Sequence, residues 1–232
     1  MVALYALAIL PQALPQSPWT GYSGMPTLSA GSSVVQTVSH SVTAEVDDTH
    51  ANVTTVTVFK NLTAQEIRAN LDVPKGTLAG ADNDGEAKFD IDVRWDDKPA
   101  GLRSAGATLR IERRSGPFGP AYSRASSGEV VLKPSATHSV KTSYKVPVGK
   151  AGFDRKQRLV AYLLQGEEPV GTLNVTFRYR GKTVFNLPQM HPKEWPWQVG
   201  ERGAFIRHRE FAPGNTLVYL TYYPGGFQRI GG

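Results

Sequence analysis

The chain of 232 residues contains no cysteine. This absence excludes disulfide bonds, a thiolate nucleophile and any metal site built on cysteine. The chain also has no Lys, Arg, Asp or Glu before Glu45. Its opening apolar run, residues 1–10, is shorter than the roughly 20 residues that a membrane-spanning helix needs. The sequence therefore predicts no transmembrane segment.

The apolar run at residues 1–10 resembles the apolar region of a secretory signal peptide, although no basic residue precedes it. We expect residues 1–17 to be a signal peptide, and the protein to be secreted or to lie in the periplasm or cell envelope. The alternative is an ordinary N-terminal strand or helix. Residues 18–32 are rich in Pro, Gly and Ser and are interpreted as a linker or arm, with Trp19 and Tyr22 as anchors that pack on the rest of the protein.

The remaining chain has the pattern of a β protein. It contains 23 Gly and 16 Pro, and short strand-like segments recur between turn signals with few helical windows. This predicts an all-β fold, an antiparallel β-sandwich with little or no helix, either one large sandwich or two abutting ones. Residues 33–147 would form an N-terminal β-sandwich part. Residues 148–232 would form a C-terminal β part or belong to the same domain.

Residues 159–164 are apolar at every position, which predicts a strand buried on both faces. Its expected partner is the equally apolar segment 216–223. Residues 172–180 instead alternate, so that Phe177 would point inward and Arg178 outward. The turn signal at residues 180–182 predicts a hairpin from this strand into residues 183–187.

One strand breaks its own alternation. In residues 51–59, Val53 and Phe59 fall at odd positions but Val56 and Val58 at even ones. This predicts either a strand buried on both faces or a bulge near Thr54 and Thr55.

The charges are unevenly distributed. Residues 45–100 carry a net charge of −6 and residues 101–232 a net charge of +12. A basic stripe on exposed strand faces is predicted, which would bind an anionic polymer unless the charge is incidental. Its candidate residues are Arg178, Arg180 and Lys182, together with Arg202, Arg207 and Arg209.

A loop near the C-terminal end carries two tryptophans held by prolines. Trp195 and Trp197 could form a stacking platform for a sugar ring. The alternative is that both side chains close an open end of the sandwich.

The sequence contains few patterns that are typical of metal-binding or catalytic residues. Asp82, Asp84 and Glu86 place oxygen ligands at alternate positions, as in a calcium-binding loop, but the EF-hand spacing is not met, and ordinary turn chemistry also explains these residues. Asp90 and Asp92 would lie about 7 Å apart on an outward strand face, where a solvated, charge-balanced surface is the simpler interpretation. No catalytic motif is recognisable, and no cofactor is expected.

Residues 36–74 carry a family resemblance. Its features are the run Val38-Ser39-His40-Ser41-Val42, the Phe59-x-Asn61-x-Thr63 stretch, and a segment that closes on Val73-Pro74. In these features the chain resembles the vault/inter-alpha-trypsin (VIT) type of secreted β-sandwich domain. The resemblance implies a β-sandwich and an interaction role rather than catalysis.

These observations favour an exported, non-catalytic β-sandwich protein that binds a carbohydrate or an anionic polymer. A structural cell-envelope protein that binds another protein through exposed strands is the first alternative. A carbohydrate-active enzyme is the least favoured. Nucleic acid is not the expected partner, because an exported protein rarely meets it.

Overall fold

The computed structural model describes residues 20–31, 33–78, 89–111, 121–150, 157–166, 168–181 and 186–223. Seventeen strands and no helix occur in these ranges. In chain order the strands are β1 (Thr20–Ser23), β2 (Thr27–Leu28), β3 (Val35–Val46), β4 (His50–Asn61), β5 (Ile67–Leu78), β6 (Ile91–Trp95), β7 (Lys98–Pro99), β8 (Arg103–Ile111), β9 (Ala121–Leu132), β10 (Thr137–Pro147), β11 (Gly149–Lys150), β12 (Arg158–Leu164), β13 (Val170–Tyr179), β14 (Asn186–His191), β15 (Gln198–Gly200), β16 (Gly203–Phe211) and β17 (Thr216–Tyr223). The predicted all-β fold is confirmed.

An eight-stranded sheet, which we call the central sheet, runs in the order β15-β16-β13-β3-β4-β10-β6-β7. Its neighbours are antiparallel except β3 and β13, which are parallel. The sheet is therefore mixed rather than wholly antiparallel. Strands from both sides of residue 147 share it, so the two expected parts of the chain contribute to one sheet.

Two smaller sheets cover the inner face of the central sheet at different ends. The first covering sheet, β1-β5-β9-β8 with β2 beside β5, packs its Leu71 and Leu132 against Phe59 and Val140. The second covering sheet, β11-β12-β17-β14, shares the larger core cluster with the other end of the central sheet. Each interface is formed by the inward residues of alternating strands, which is the packing expected of a sandwich.

Strand β12 is buried on both faces, as its sequence predicts. Val160, Tyr162 and Leu164 face the central sheet, while Leu159, Ala161 and Leu163 pack beneath Tyr22 on the other side. β12 pairs with β17 from Arg158 opposite Tyr222 to Leu164 opposite Thr216, which confirms the predicted partner.

The segment expected to be an arm joins the two covering sheets. β1 pairs with β5, and the next residue, Gly24, bridges to Leu163 of β12. A Cβ at Gly24 would lie 2.8 Å from the carbonyl oxygen of Leu163, so the close approach requires glycine. Tyr22 is completely buried, which confirms its role as an anchor, whereas Trp19 lies outside the described residues.

The predicted hairpin after β13 is wrong. Residues 186 and 187 belong to β14, which pairs with β17 in the second covering sheet and not with β13. β13 instead lies between β3 and β16. The glycine at the turn is compatible with a hairpin, but the chain uses this connection to cross between two sheets.

Both alternatives predicted for β4, a bulge and burial on both faces, are also wrong. β4 alternates without a break, and its register with β10 is continuous. The inward positions in its middle are Thr55 and Thr57, both buried, while Val56 and Val58 face outward. The apolar residues of β4 do not keep to one side because threonines occupy two of its buried positions and valines two of its outward ones.

These threonines belong to a group of buried polar side chains, which we call the polar seam. The seam lies between the core cluster under the first covering sheet and the larger cluster under the second. The seam consists of His40, Thr55, Thr57, Thr142 and Tyr162, all buried. His40 Nδ1 lies 2.8 Å from Thr57 Oγ1, and the Oγ1 atoms of Thr55 and Thr142 are 2.7 Å apart. Hydrogen bonding within the seam offsets the cost of burying its polar groups.

Candidate binding face

The outer side of the central sheet, which we call the basic face, collects the cations of β13 and β16. Inward residues alternate with outward ones, so Arg178, Arg207 and Arg209 are all exposed. Arg207 lies opposite Asn174 and Arg209 opposite Thr172. The same face carries lysines on β4 and β10, namely Lys60, Lys141 and Lys145.

Most of these cations have no carboxylate partner. The ion pairs of this face in the described ranges are Arg180 with Glu45 and Arg94 with Asp92. The hydrogen bond from Arg180 to Glu45 raises the pKa of the Arg180 guanidinium and keeps it charged. No described carboxylate forms a salt bridge with Arg178, Arg207, Arg209, Lys60, Lys141 or Lys145. The basic face therefore has a surplus of positive charge open to solvent.

A neutral, hydrogen-bonding track separates two groups of cations. From Arg207 the register runs through Asn174, Ser41 and Val56 to Lys141. Four strand spacings of about 4.8 Å place the backbone positions of Arg207 and Lys141 roughly 19 Å apart. The adjacent row contains Thr176, Thr43 and Thr54. The track thus presents small hydroxyl and amide groups between cationic borders.

Phe205 is an aromatic side chain within this polar surface. It is 45% exposed, lies opposite Thr176, and precedes Arg207 by two residues on the same side of β16. Arg178 occupies a diagonal position, opposite Gly203. Phe205 is not among the site residues predicted from the sequence. The alternation of Ala204 and Ile206 inward with Phe205 and Arg207 outward is the signal that could have identified it.

The tryptophan loop lies on the opposite, inner side of the central sheet. Trp195 and Trp197 are half-buried and pack against the larger core cluster. Trp197 packs on the inward-pointing Phe177 with ring centroids 5.9 Å apart and tilted by 37°, and its Nε1 donates to the carbonyl of Pro192 at 2.9 Å. The structure therefore does not bring the two tryptophans together with Arg178 or Arg180.

Trp195 also sits in an aromatic cluster with His208 and Phe211. Its ring meets His208 edge to face at 4.7 Å and Phe211 at 5.2 Å. Burial lowers the pKa of His208, whose Nε2 is enclosed without a hydrogen-bond partner among the described residues. These contacts favour a packing role for Trp195 at the end of the sandwich. Sugar stacking on this loop stays a prediction.

The other predicted positions separate into two groups. Lys182, Asp82, Asp84 and Glu86 lie outside the described residues. Among the residues that the structure describes, no cluster of His, Asp or Glu could hold a metal ion. Asp92 is exposed and paired with Arg94 at 2.9 Å, as a solvated strand surface would be.

The buried His138 contacts the exposed carboxylate of Asp96, in a pair that could be mistaken for catalytic machinery. His138 Nδ1 lies 2.6 Å from Asp96 Oδ2, and His138 Nε2 accepts a hydrogen bond from the backbone N–H of Lys133. Both ring nitrogens are engaged, so neither is free to take a proton from a substrate. The pair holds the β9–β10 turn beside the β6–β7 turn.

No family model and no curated protein matches the chain. Among solved structures, the chain is similar to a proposed nutrient binding protein from Legionella pneumophila, with a TM-score of 0.64 and 15% sequence identity over 89% of this chain and 72% of that one. It is also similar to an M1 zinc metallopeptidase from Deinococcus radiodurans, with a TM-score of 0.34 and 8% identity over 82% of this chain and 42% of the peptidase. The likeness to the Legionella protein shows the fold.

No helix in the described ranges is long and apolar enough to cross a membrane.

Proposed function

We propose that the protein is a non-catalytic binding protein whose basic face holds an anionic polymer. The observation that carries this proposal is the concentration of unpaired cations on one outer sheet face, with Arg178, Arg207 and Arg209 at one border and Lys141 and Lys145 at the other. Charge of one sign over an extended surface attracts and orients a polymer of the opposite sign.

Export is part of the same proposal. The apolar run at residues 1–10 and the absence of cysteine suit a protein that is secreted or lies in the periplasm or cell envelope. An acidic polymer of that compartment is the expected partner. The Legionella protein is a proposed nutrient binding protein, which supports a binding role for this chain.

The experiment is a charge reversal with a matched control. The variant Arg207→Glu/Arg209→Glu changes two exposed cations of the basic face, while Arg103→Glu changes an exposed cation on β8 of the first covering sheet. Affinity for polygalacturonate is measured at two salt concentrations. We expect the double variant to lose at least tenfold in affinity, Arg103→Glu to bind like the wild type, and added salt to weaken wild-type binding.

Unchanged affinity in the double variant would remove the basic face as the binding site. A thermal melt of each variant at the same salt concentration shows that the comparison is made between folded proteins.

A further inference from the structure

We infer that the polymer is an acidic polysaccharide that runs across the strands of the basic face, with one sugar ring stacked on Phe205. This inference rests on the proposed function and specifies its ligand. Three features of the face carry it, namely the spacing of the cations, the neutral track between them, and the exposed aromatic ring.

The cations are too far apart to match a densely charged polymer. Arg207 and Arg209 lie about 7 Å apart along β16, and the next cation in the register row of Arg207, Lys141, is roughly 19 Å away. Duplex DNA presents a charge about every 1.7 Å along its axis. A polymer whose carboxylates are separated by uncharged units fits the observed spacing better.

The track between the cations suits hydroxyl groups. Ser41, Thr43 and Thr54 each offer a hydroxyl that can both donate and accept, and Asn174 offers an amide. The Asn174 amide already donates to Ser41 Oγ at 3.2 Å, which orients both groups on the surface. Neutral groups that both donate and accept complement sugar hydroxyls, whereas phosphate oxygens only accept.

Phe205 supplies the apolar surface that one face of a sugar ring needs. Its ring is nearly half exposed and is flanked by Arg207 on the same strand and by Arg178 on the neighbouring one. A stacked sugar would therefore have cations within reach of its carboxylate on two sides. No second Phe, Tyr or Trp faces outward from the described strands of the central sheet. Single-stranded nucleic acids, which stack successive bases on several aromatic rings, are disfavoured for that reason.

The test compares three anionic probes at one salt concentration, namely hexagalacturonate, hexaglutamate and a six-nucleotide single-stranded DNA. The wild type, Phe205→Ala, Leu62→Ala and Arg207→Glu/Arg209→Glu are titrated with each. Leu62 is the matched control because it is an apolar residue of similar exposure, 48% against 45% for Phe205, and lies after the end of β4, outside the track. We expect hexagalacturonate to bind the wild type at least tenfold more tightly than the other probes. We expect Phe205→Ala to weaken that binding about two- to tenfold, and Leu62→Ala to leave it within twofold.

The outcomes separate this inference from the proposed function. Equal binding of hexagalacturonate and hexaglutamate, with no effect of Phe205→Ala but a strong effect of Arg207→Glu/Arg209→Glu, overturns the polysaccharide and keeps the basic face as a polyanion site. Tightest binding of DNA overturns the inference as well. Binding of none of the three probes by the wild type overturns both.

Discussion

The hydroxyl of Tyr162 lies 3.0 Å from Nε2 of His40, between the second covering sheet and the central sheet. His40 is completely buried, and its other ring nitrogen is bonded to Thr57. Burial lowers the pKa of His40 to about 3. The seam therefore contains a histidine that stays neutral in the folded protein over most of the acidic range.

Stability should fall on acidification because of His40. The unfolded chain binds a proton at His40 near pH 6.5, whereas the folded protein binds it only near pH 3, so the free energy of unfolding decreases as the pH falls between these values. The loss is at most about 5 kcal/mol, at about 1.4 kcal/mol per pH unit. We predict that His40→Gln lowers stability at pH 7 but flattens the dependence between pH 6.5 and 4, as measured by urea unfolding. A slope in His40→Gln equal to that of the wild type would contradict the prediction.

The contact between Thr55 and Thr142 predicts that substitutions at these two positions change the free energy of unfolding non-additively. Thr55→Val leaves the buried hydroxyl of Thr142 without this partner and should cost about 1–3 kcal/mol of unfolding free energy. Thr55→Val/Thr142→Val replaces both groups with apolar ones of similar shape, so it should be more stable than the sum of the two single changes implies. Thermal unfolding of the four proteins gives the coupling energy. Strict additivity would show that the two hydroxyls do not interact.

Replacement of Asn61 is predicted to lower the free energy of unfolding strongly, because its single amide makes several hydrogen bonds. Its Nδ2 is within hydrogen-bond distance of the carbonyls of Gln65, Leu132 and Lys133, and its Oδ1 accepts from the backbone and hydroxyl of Thr63. Asn61→Ala should lower the free energy of unfolding by about 2–4 kcal/mol, since several groups lose their partner together. Asn52→Ala, at an exposed position of the same strand, should change it by less than about 0.5 kcal/mol. Equal effects at the two positions, measured by denaturant unfolding, would contradict this role.

The tryptophan loop is predicted to stabilise the fold. Trp195 packs on His208 and Phe211 and is half-buried, so Trp195→Ala should cost roughly 2–3 kcal/mol, less than the about 3–5 kcal/mol of a fully buried Trp. Binding of anionic polymer should not change, because the loop and the basic face lie on opposite sides of the central sheet. Denaturant unfolding and a titration with polygalacturonate measure the two effects. Lost affinity for a neutral oligosaccharide at unchanged stability would support the stacking platform instead.

Strand pairing could be predicted from the sequence where hydrophobicity alone determines it. The uninterrupted apolar stretch of β12 predicted its burial on both faces and its partner β17, because such residues have no stable position at a surface. β4 shows the limit of this reasoning. Its buried Thr55 and Thr57 are stabilised by partners on other strands, and pairing across strands is not encoded in the periodicity of one segment.

Most residues of the candidate site could be predicted from the sequence, but their arrangement on the sheet could not. Alternation placed Arg178 and Arg180 on an outward face, and the sequence also predicted Arg207 and Arg209 as members of the basic stripe. The structure shows Arg178, Arg207 and Arg209 on one face because β13 and β16 are neighbours. The parallel contact of β3 with β13, which creates the neutral track at Ser41 and Thr43, joins segments more than 120 residues apart. Only the tertiary fold brings those segments together, so the track could not be predicted from the sequence, whereas the alternation within β16 could have placed Phe205 on the outward face.

Amide chemical shifts recorded during a titration with hexagalacturonate test the central claim most directly, because they locate the ligand on the fold. We predict that the largest changes follow the row from Arg207 through Asn174 and Ser41 to Lys141, and extend to Phe205. Residues of the tryptophan loop should not shift. Changes confined to Trp195 and its neighbours, or saturable binding that leaves the basic face unperturbed, would contradict the claim that this face holds the polymer.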